Sequence, residues 1–76
     1  MRVKESLGEI PISPKTKILV SITEVGNKDK MDIRLNFLNY DGEWKPTKKG
    51  ISIPVEQAKP LLEIINKGIS NDYNIS

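Results

Sequence analysis

Residues 49–67 read KGISIPVEQAKPLLEIINK, and the fold turns on a change of period inside them. Up to Ile53 the pattern alternates, with Ile51 and Ile53 on one face and Ser52 on the other, as in a half-buried strand. From Val55 the period becomes about 3.6. Val55, Ala58, Leu61, Leu62, Ile65 and Ile69 then form one stripe, which Ile64 widens. Pro54 stands at the boundary and ends the strand, because proline has no N–H to give to a ladder. Pro60 would cost roughly 3 kcal/mol in a helix interior. The expectation is therefore one helix with an irregular first turn, closed by Gly68 at C′ after Lys67.

Upstream of residue 49 the period is two. Ile18, Val20 and Ile22 alternate with Lys17, Ser21 and Thr23, which predicts a strand over Lys17–Glu24, with Leu19 on the polar side. Met31, Ile33, Leu35 and Phe37 alternate with Asp32, Arg34 and Asn36, which predicts a second strand over Lys30–Leu38. Val25–Asp29 between them is a turn, because Gly26 and Asn27 tolerate positive φ. Tyr40-Asp41-Gly42 is a tight turn, followed by a short third strand, Glu43–Lys45, that Pro46 stops. Lys49–Ile53 is the fourth strand. Residues 1–16 carry Pro11 and Pro14 and only weak alternation at Ile10 and Ile12. They read as a partly mobile arm with a short edge strand near Gly8–Ile12, and residues 70–76 as a frayed polar tail. Strands followed by one helix predict an α+β domain: a four-stranded curved antiparallel sheet with one C-terminal helix. A helix this apolar exceeds what one small sheet can cover. A homodimer follows, with Leu61, Leu62, Ile64 and Ile65 at its interface.

Composition removes most chemistry. Seventy-six residues hold a single domain whose core is marginal without a partner. With no cysteine there is no disulfide and no thiolate metal site, and with no histidine the usual general base and zinc ligand are missing. Asp29, Asp32 and Asp41 are scattered acids, not a Mg²⁺ site. An enzyme is not expected, nor a catalytic residue, a metal or a cofactor. No stretch of about 20 apolar residues spans a membrane, and the N-terminus lacks the apolar region of a signal peptide. The expected compartment is the cytoplasm or nucleoid, or the nucleus of a eukaryote.

The formal charge of +2 is concentrated. Between Gly42 and Gly50, Lys45, Lys48 and Lys49 face a single acid, Glu43, which equals the excess of the whole chain, and the only tryptophan, Trp44, lies among them. Lysines interleaved with aromatics are what a sequence-tolerant binder of single strands needs: cations for phosphates and flat rings for bases.

The run Gly42-Glu43-Trp44-Lys45-Pro46-Thr47-Lys48-Lys49-Gly50-Ile51-Ser52-Ile53 resembles the signature of the positive cofactor four family. These are single-stranded-DNA-binding transcriptional coactivators with small bacterial and phage relatives. The resemblance extends upstream through Met31-Asp32-Ile33-Arg34 and downstream to Glu56-Gln57, and the pattern runs without a gap from about Ile22 to Ile65. It implies four antiparallel strands and a helix, a dimer formed through helices and strands, and a β-groove for single-stranded nucleic acid over residues 17–69. It also implies weaker duplex binding. The family's base-stacking aromatic late in the second strand falls on Phe37. Its second stacking position falls on Val25, which has no ring, leaving Trp44 or Tyr40 to compensate. Its basic contacts fall on Lys28, Arg34, Lys45, Lys48 and Lys49, and the long acidic, serine-rich regulatory arm of its eukaryotic members has no counterpart in this sequence.

Each residue has a plainer role too. Phe37 shares parity with Ile33 and fits a core, Trp44 fits a structural role, Arg34 can pair with Asp32 or Glu24, and Lys48 and Lys49 can solubilise the surface. The expected function is sequence-tolerant single-stranded DNA binding in transcription, replication or repair. The alternatives are an RNA-binding regulator on the same platform and a protein–protein adaptor to the transcription machinery.

Overall fold

The alternation of Met31, Ile33 and Leu35 with Asp32, Arg34 and Asn36 produces the strand around which the chain is built. The computed structural model describes residues 2–70. It has four strands, β1 (Arg2–Ser13), β2 (Thr16–Val25), β3 (Lys28–Leu38) and β4 (Trp44–Pro54), then a 3₁₀ turn, η1 (Val55–Gln57), and one helix, α1 (Ala58–Ser70). The sheet is antiparallel throughout, with spatial order equal to chain order, β1-β2-β3-β4. The architecture is the α+β arrangement expected, four antiparallel strands and then a helix. The four strands are not those the pattern implies.

Two differences account for this. Residues 2–13 form a full edge strand, longer than Gly8–Ile12, and pair with β2 from Arg2↔Glu24 to Ser13↔Thr16. Register shifts at Val3/Glu5, Ser6/Gly8 and Pro11/Ser13 break the alternation, so the strand has no period-two signature to read. The predicted third and fourth strands are one strand, β4. Pro46 does not stop it, because β4 is an edge strand and proline is tolerated where no neighbour needs its N–H. Glu43, expected to open a strand, belongs to the β3–β4 loop, where its N–H and that of Asp41 both donate to Asn39 Oδ1 at 2.9 Å. Gly42 takes φ +80° in this loop.

β2 and β3 pair without interruption from Thr16↔Phe37 to Val25↔Lys28, joined by the two residues Gly26 and Asn27. Cross-strand pairs place Ile18 with Leu35, Val20 with Ile33 and Ile22 with Met31 on one face, which β4 extends through Ile51 and Ile53. The other face is polar. Ser21, Thr23, Asp32 and Asn36 on it are the buried residues, while no hydrophobic side chain is buried among the described residues.

The helix has the irregular start expected, since η1 precedes α1 and Pro60 occupies the first helical turn, where N–H groups have no helical partner. Gly68 is not a C′ residue. It lies inside α1, which continues to Ser70, and it is not among the glycines with positive φ. Most of the expected tail, residues 71–76, lies outside the described residues. α1 continues directly from η1 and makes at most marginal contact with the strands. Its stripe stays exposed, with Leu62 at 55%, Ile64 at 67% and Ile65 at 49%, and Leu61 half-buried. Among the described residues no helix is long and apolar enough to cross a membrane.

Gly50 has no room for a side chain. A Cβ there would collide with the Ile33 carbonyl and lie 3.0 Å from Arg34 Cα, while Gly68 has nothing within 4 Å. Gly50→Ala should therefore lower stability by about 1–3 kcal/mol, whereas Gly68→Ala should raise it by up to about 1 kcal/mol by favouring helix. Urea unfolding of both variants beside the parent checks the opposite signs.

Candidate nucleic-acid interface

Strand β4 carries Lys45, Lys48 and Lys49 and no acid over its whole length. These lysines are exposed, and none makes an ion pair among the described residues. The cations that are paired lie on the other strands: Arg2 with Glu24 at 2.9 Å, Lys4 with Asp29 at 3.0 Å, Lys17 with Glu9 at 2.8 Å and Arg34 with Asp32 at 2.8 Å. Among the described residues, every cation of β1 and β2 is thus paired, Arg34 alone is paired on β3, and none is paired on β4. An approaching polyanion meets uncompensated charge along β4.

Register decides which aromatics stand beside it. Phe37 pairs across the ladder with Lys45, and Leu38 with Trp44. Alternation puts Phe37 at the end of the apolar face, after Ile33 and Leu35, where it is 41% exposed. Lys49 lines a shallow depression of the same face with Ile18, Ile33, Leu35 and Gly50. Trp44 belongs to the polar face and is 38% exposed. Lys17 Nζ lies 4.3 Å from its ring centroid, a cation–π contact that, with the Glu9 bridge to the same ammonium, fixes the indole. Tyr40, fully exposed in the β3–β4 loop, lines a depression with Lys15, Phe37, Leu38, Asn39 and Gly42.

The structure brings together Phe37, Trp44, Lys45, Lys48 and Lys49 at the β3–β4 end of the sheet. Lys28 is not among them. It sits at the β2–β3 turn beside Asn27, Asp29 and Pro54, nine residues along β3 from Phe37, about 30 Å at ~3.3 Å per residue. Arg34 takes the pairing its parity allowed: its Nη2 donates to Asp32 Oδ1 at 2.8 Å and its Nε to Asp32 Oδ2 at 3.4 Å. The hydrogen bond to Asp32 pushes the guanidinium above its already high ordinary pKa, so it stays charged at any working pH. Val25 is exposed at the far end of β2 and offers no ring. Lys15, Lys17 and Glu9 escaped the sequence reading, because only the cross-strand register brings them to Phe37 and Trp44. Among the described residues no group of three or more His, Cys, Asp or Glu side chains gathers as a metal site.

A four-stranded antiparallel meander followed by one helix, with unpaired lysines on an edge strand and exposed rings beside them, defines a small α+β sheet module. Residues 12–64 match the family model described as Transcriptional Coactivator p15 (PC4), and the chain belongs to that family. The match begins in the last residues of β1, so most of that strand lies outside it. Among solved structures, the chain is similar to a PC4 homologue from Burkholderia pseudomallei. In one crystal form the similarity is at 22% identity and TM-score 0.82, over 96% of this chain and 95% of that one. In a second form it is 23% and 0.79, over 84% and 94%. The chain is also similar to a bacteriophage T5 homologue of PC4 implicated in recombination-dependent DNA replication, at 25% identity and TM-score 0.74, over 91% and 81%. No curated protein sequence matches the chain.

If Lys17 clamps the indole, Lys17→Ala should free it. Trp44 is the only tryptophan, so acrylamide quenching of its emission should rise clearly in the variant, with a stability loss of about 0.5–1 kcal/mol.

Proposed function

We propose that the protein is a sequence-tolerant single-stranded-DNA-binding protein acting as a homodimer in transcription or replication. The observation that carries this is the row of unpaired lysines on β4 beside the exposed rings of Phe37 and Trp44. Lys45, Lys48 and Lys49 contact phosphates, and each phosphate neutralised on a single strand contributes about 0.7 to the salt slope. Phe37 and Trp44 stack bases, each stack being worth about 1–3 kcal/mol by alanine substitution. Stacking reads no sequence, because every base has a flat face. Membership of the coactivator family supports a role in transcription, and the phage relative's part in DNA replication supports a role beyond it.

The dimer rests on a separate observation. One protomer leaves two apolar surfaces uncovered, the Ile18–Ile33–Ile51 face of the sheet and the stripe of α1. Fully burying a Leu or Ile gains about 1.5–3 kcal/mol, and a two-fold axis lets each copy cover the other's surface. Leu61, Leu62, Ile64 and Ile65 lie at this interface. Lys28, remote from the cluster within one protomer, adds to the site only where the dimer brings the two ends together.

The test is fluorescence anisotropy of a labelled strand of about 20 nucleotides, competed by its duplex and by RNA of the same sequence, at two salt concentrations. The expected result is single-strand DNA binding that outcompetes duplex and weakens with salt. Lys48→Ala with Lys49→Ala should weaken binding to all sequences and reduce the salt slope by about 1.4, and Phe37→Ala should cost about 5- to 150-fold. Stronger binding of RNA moves the assignment to an RNA regulator, and no binding at low salt overturns it. Light scattering at micromolar concentration should give twice the protomer mass; a monomer mass overturns the dimer.

A further inference from the structure

Leu35 on β3 faces no single partner on β4. The ladder runs through Arg34↔Gly50 and resumes at Asn36↔Pro46, so Thr47, Lys48 and Lys49 all bulge opposite one residue. A bulge of this size leaves ladder groups unpaired unless something else ties them down. Thr47 does part of this, since its hydroxyl donates to the Leu35 carbonyl at 2.8 Å and accepts the Lys49 N–H at 3.0 Å. Arg34 reaches a further group of the bulge. Its side chain crosses β4 over Gly50, where an added Cβ would come 3.1 Å from Arg34 Cζ, and its Nη1 reaches the Thr47 carbonyl at 3.5 Å. Asp32, nearly buried, aims the guanidinium from two positions further back on the same face.

We propose that Arg34 is a positioning residue and not a phosphate ligand: with Asp32 and Thr47 it shapes the β4 bulge that displays Lys48 and Lys49. Its charge is spent on Asp32, and its fork faces β4. The ligand of the bulge rests on the single-strand reading above, but the strut itself is a property of the free protein.

The two roles for Arg34 predict opposite signs for one substitution. If Arg34 were a phosphate contact held back by its neighbour, Asp32→Asn would free it, remove a negative charge and tighten binding of the 20-nucleotide DNA strand. As a strut, Arg34 loses its anchor in Asp32→Asn, the bulge relaxes, and binding weakens by about five- to tenfold although the chain becomes more positive. Arg34→Ala should likewise weaken binding in the parent but cost nothing further in the Lys48→Ala, Lys49→Ala background. Thr47→Val, which changes no charge and lies on an edge strand, should weaken binding in the same direction and decides the matter if Asp32→Asn does not fold. A readout free of DNA accompanies them: the Lys49 amide should lose hydrogen-exchange protection in Asp32→Asn and in Thr47→Val. Tighter binding by Asp32→Asn, additive losses in the double background, or unchanged protection of the Lys49 amide would each overturn the strut. If the parent protein binds no single strand at all, the functional reading falls and exchange alone judges the strut.

Discussion

The structure hangs on the unbroken ladder between β2 and β3. Among the described residues it is the only strand pair without a register shift, and its ten pairs run from Thr16↔Phe37 to Val25↔Lys28. Because side chains alternate with period two, this one register fixes which residues share a face over the whole sheet. It groups Ile18, Val20 and Ile22 with Met31, Ile33 and Leu35, and it sets Ser21 beside Asp32 and Lys17 beside Asn36. β1 and β4 then add to a central pair whose faces are already decided, and both can carry bulges without losing their place. The ladder does not supply a core. The residues most shielded from solvent are small or polar, and the apolar face stays open until something covers it. In a chain this small, backbone pairing organises the protomer and apolar burial is left to association.

Electrostatics follow from the same register. Arg2, Lys4 and Lys17 each meet a carboxylate on another strand that pairing brings within reach, and Arg34 meets Asp32 two residues back on its own strand, so all four contribute little to the outward field. β4 lacks acids altogether, so its lysines project their charge. A net charge of +2 would by itself be a weak hint of a polyanionic partner. The stronger hint is that β4 carries three lysines with no acid and no ion pair among the described residues, whereas every cation of β1 and β2 is paired.

The sequence disclosed the parts whose physics is local. Met31 to Phe37 alternate cleanly because β3 lies inside the sheet with one apolar and one polar face and pairs with β2 without a shift, and the stripe from Val55 to Ile69 has a helical period because one side of the helical segment is apolar. Pro60 was placed in an irregular start because its missing N–H is harmless only there. The rest depended on pairing. β1 has no readable period because three register shifts interrupt it, and β4 looked like two strands because a bulge and Pro46 interrupt one. Likewise Lys45, Lys48 and Lys49 were visible as a charge cluster, but parity left Asp32 and Glu24 equally open as partners for Arg34. That Lys17 lies over Trp44 is a fact of cross-strand geometry with no trace in a single segment, whereas the distance of Lys28 from Phe37 follows from their places at the two ends of one strand.

The meander order has one more consequence. Every described strand after β1 pairs with the strand that precedes it in the chain, so the sheet forms from short loop closures of low contact order. During synthesis each strand finds its partner already exposed from the ribosome, and no pairing waits for distant sequence. The helix with the apolar stripe emerges after all four strands. The surface most in need of a partner is thus withheld until the sheet beside it exists, and a chain interrupted early leaves behind a hairpin, not a sticky helix.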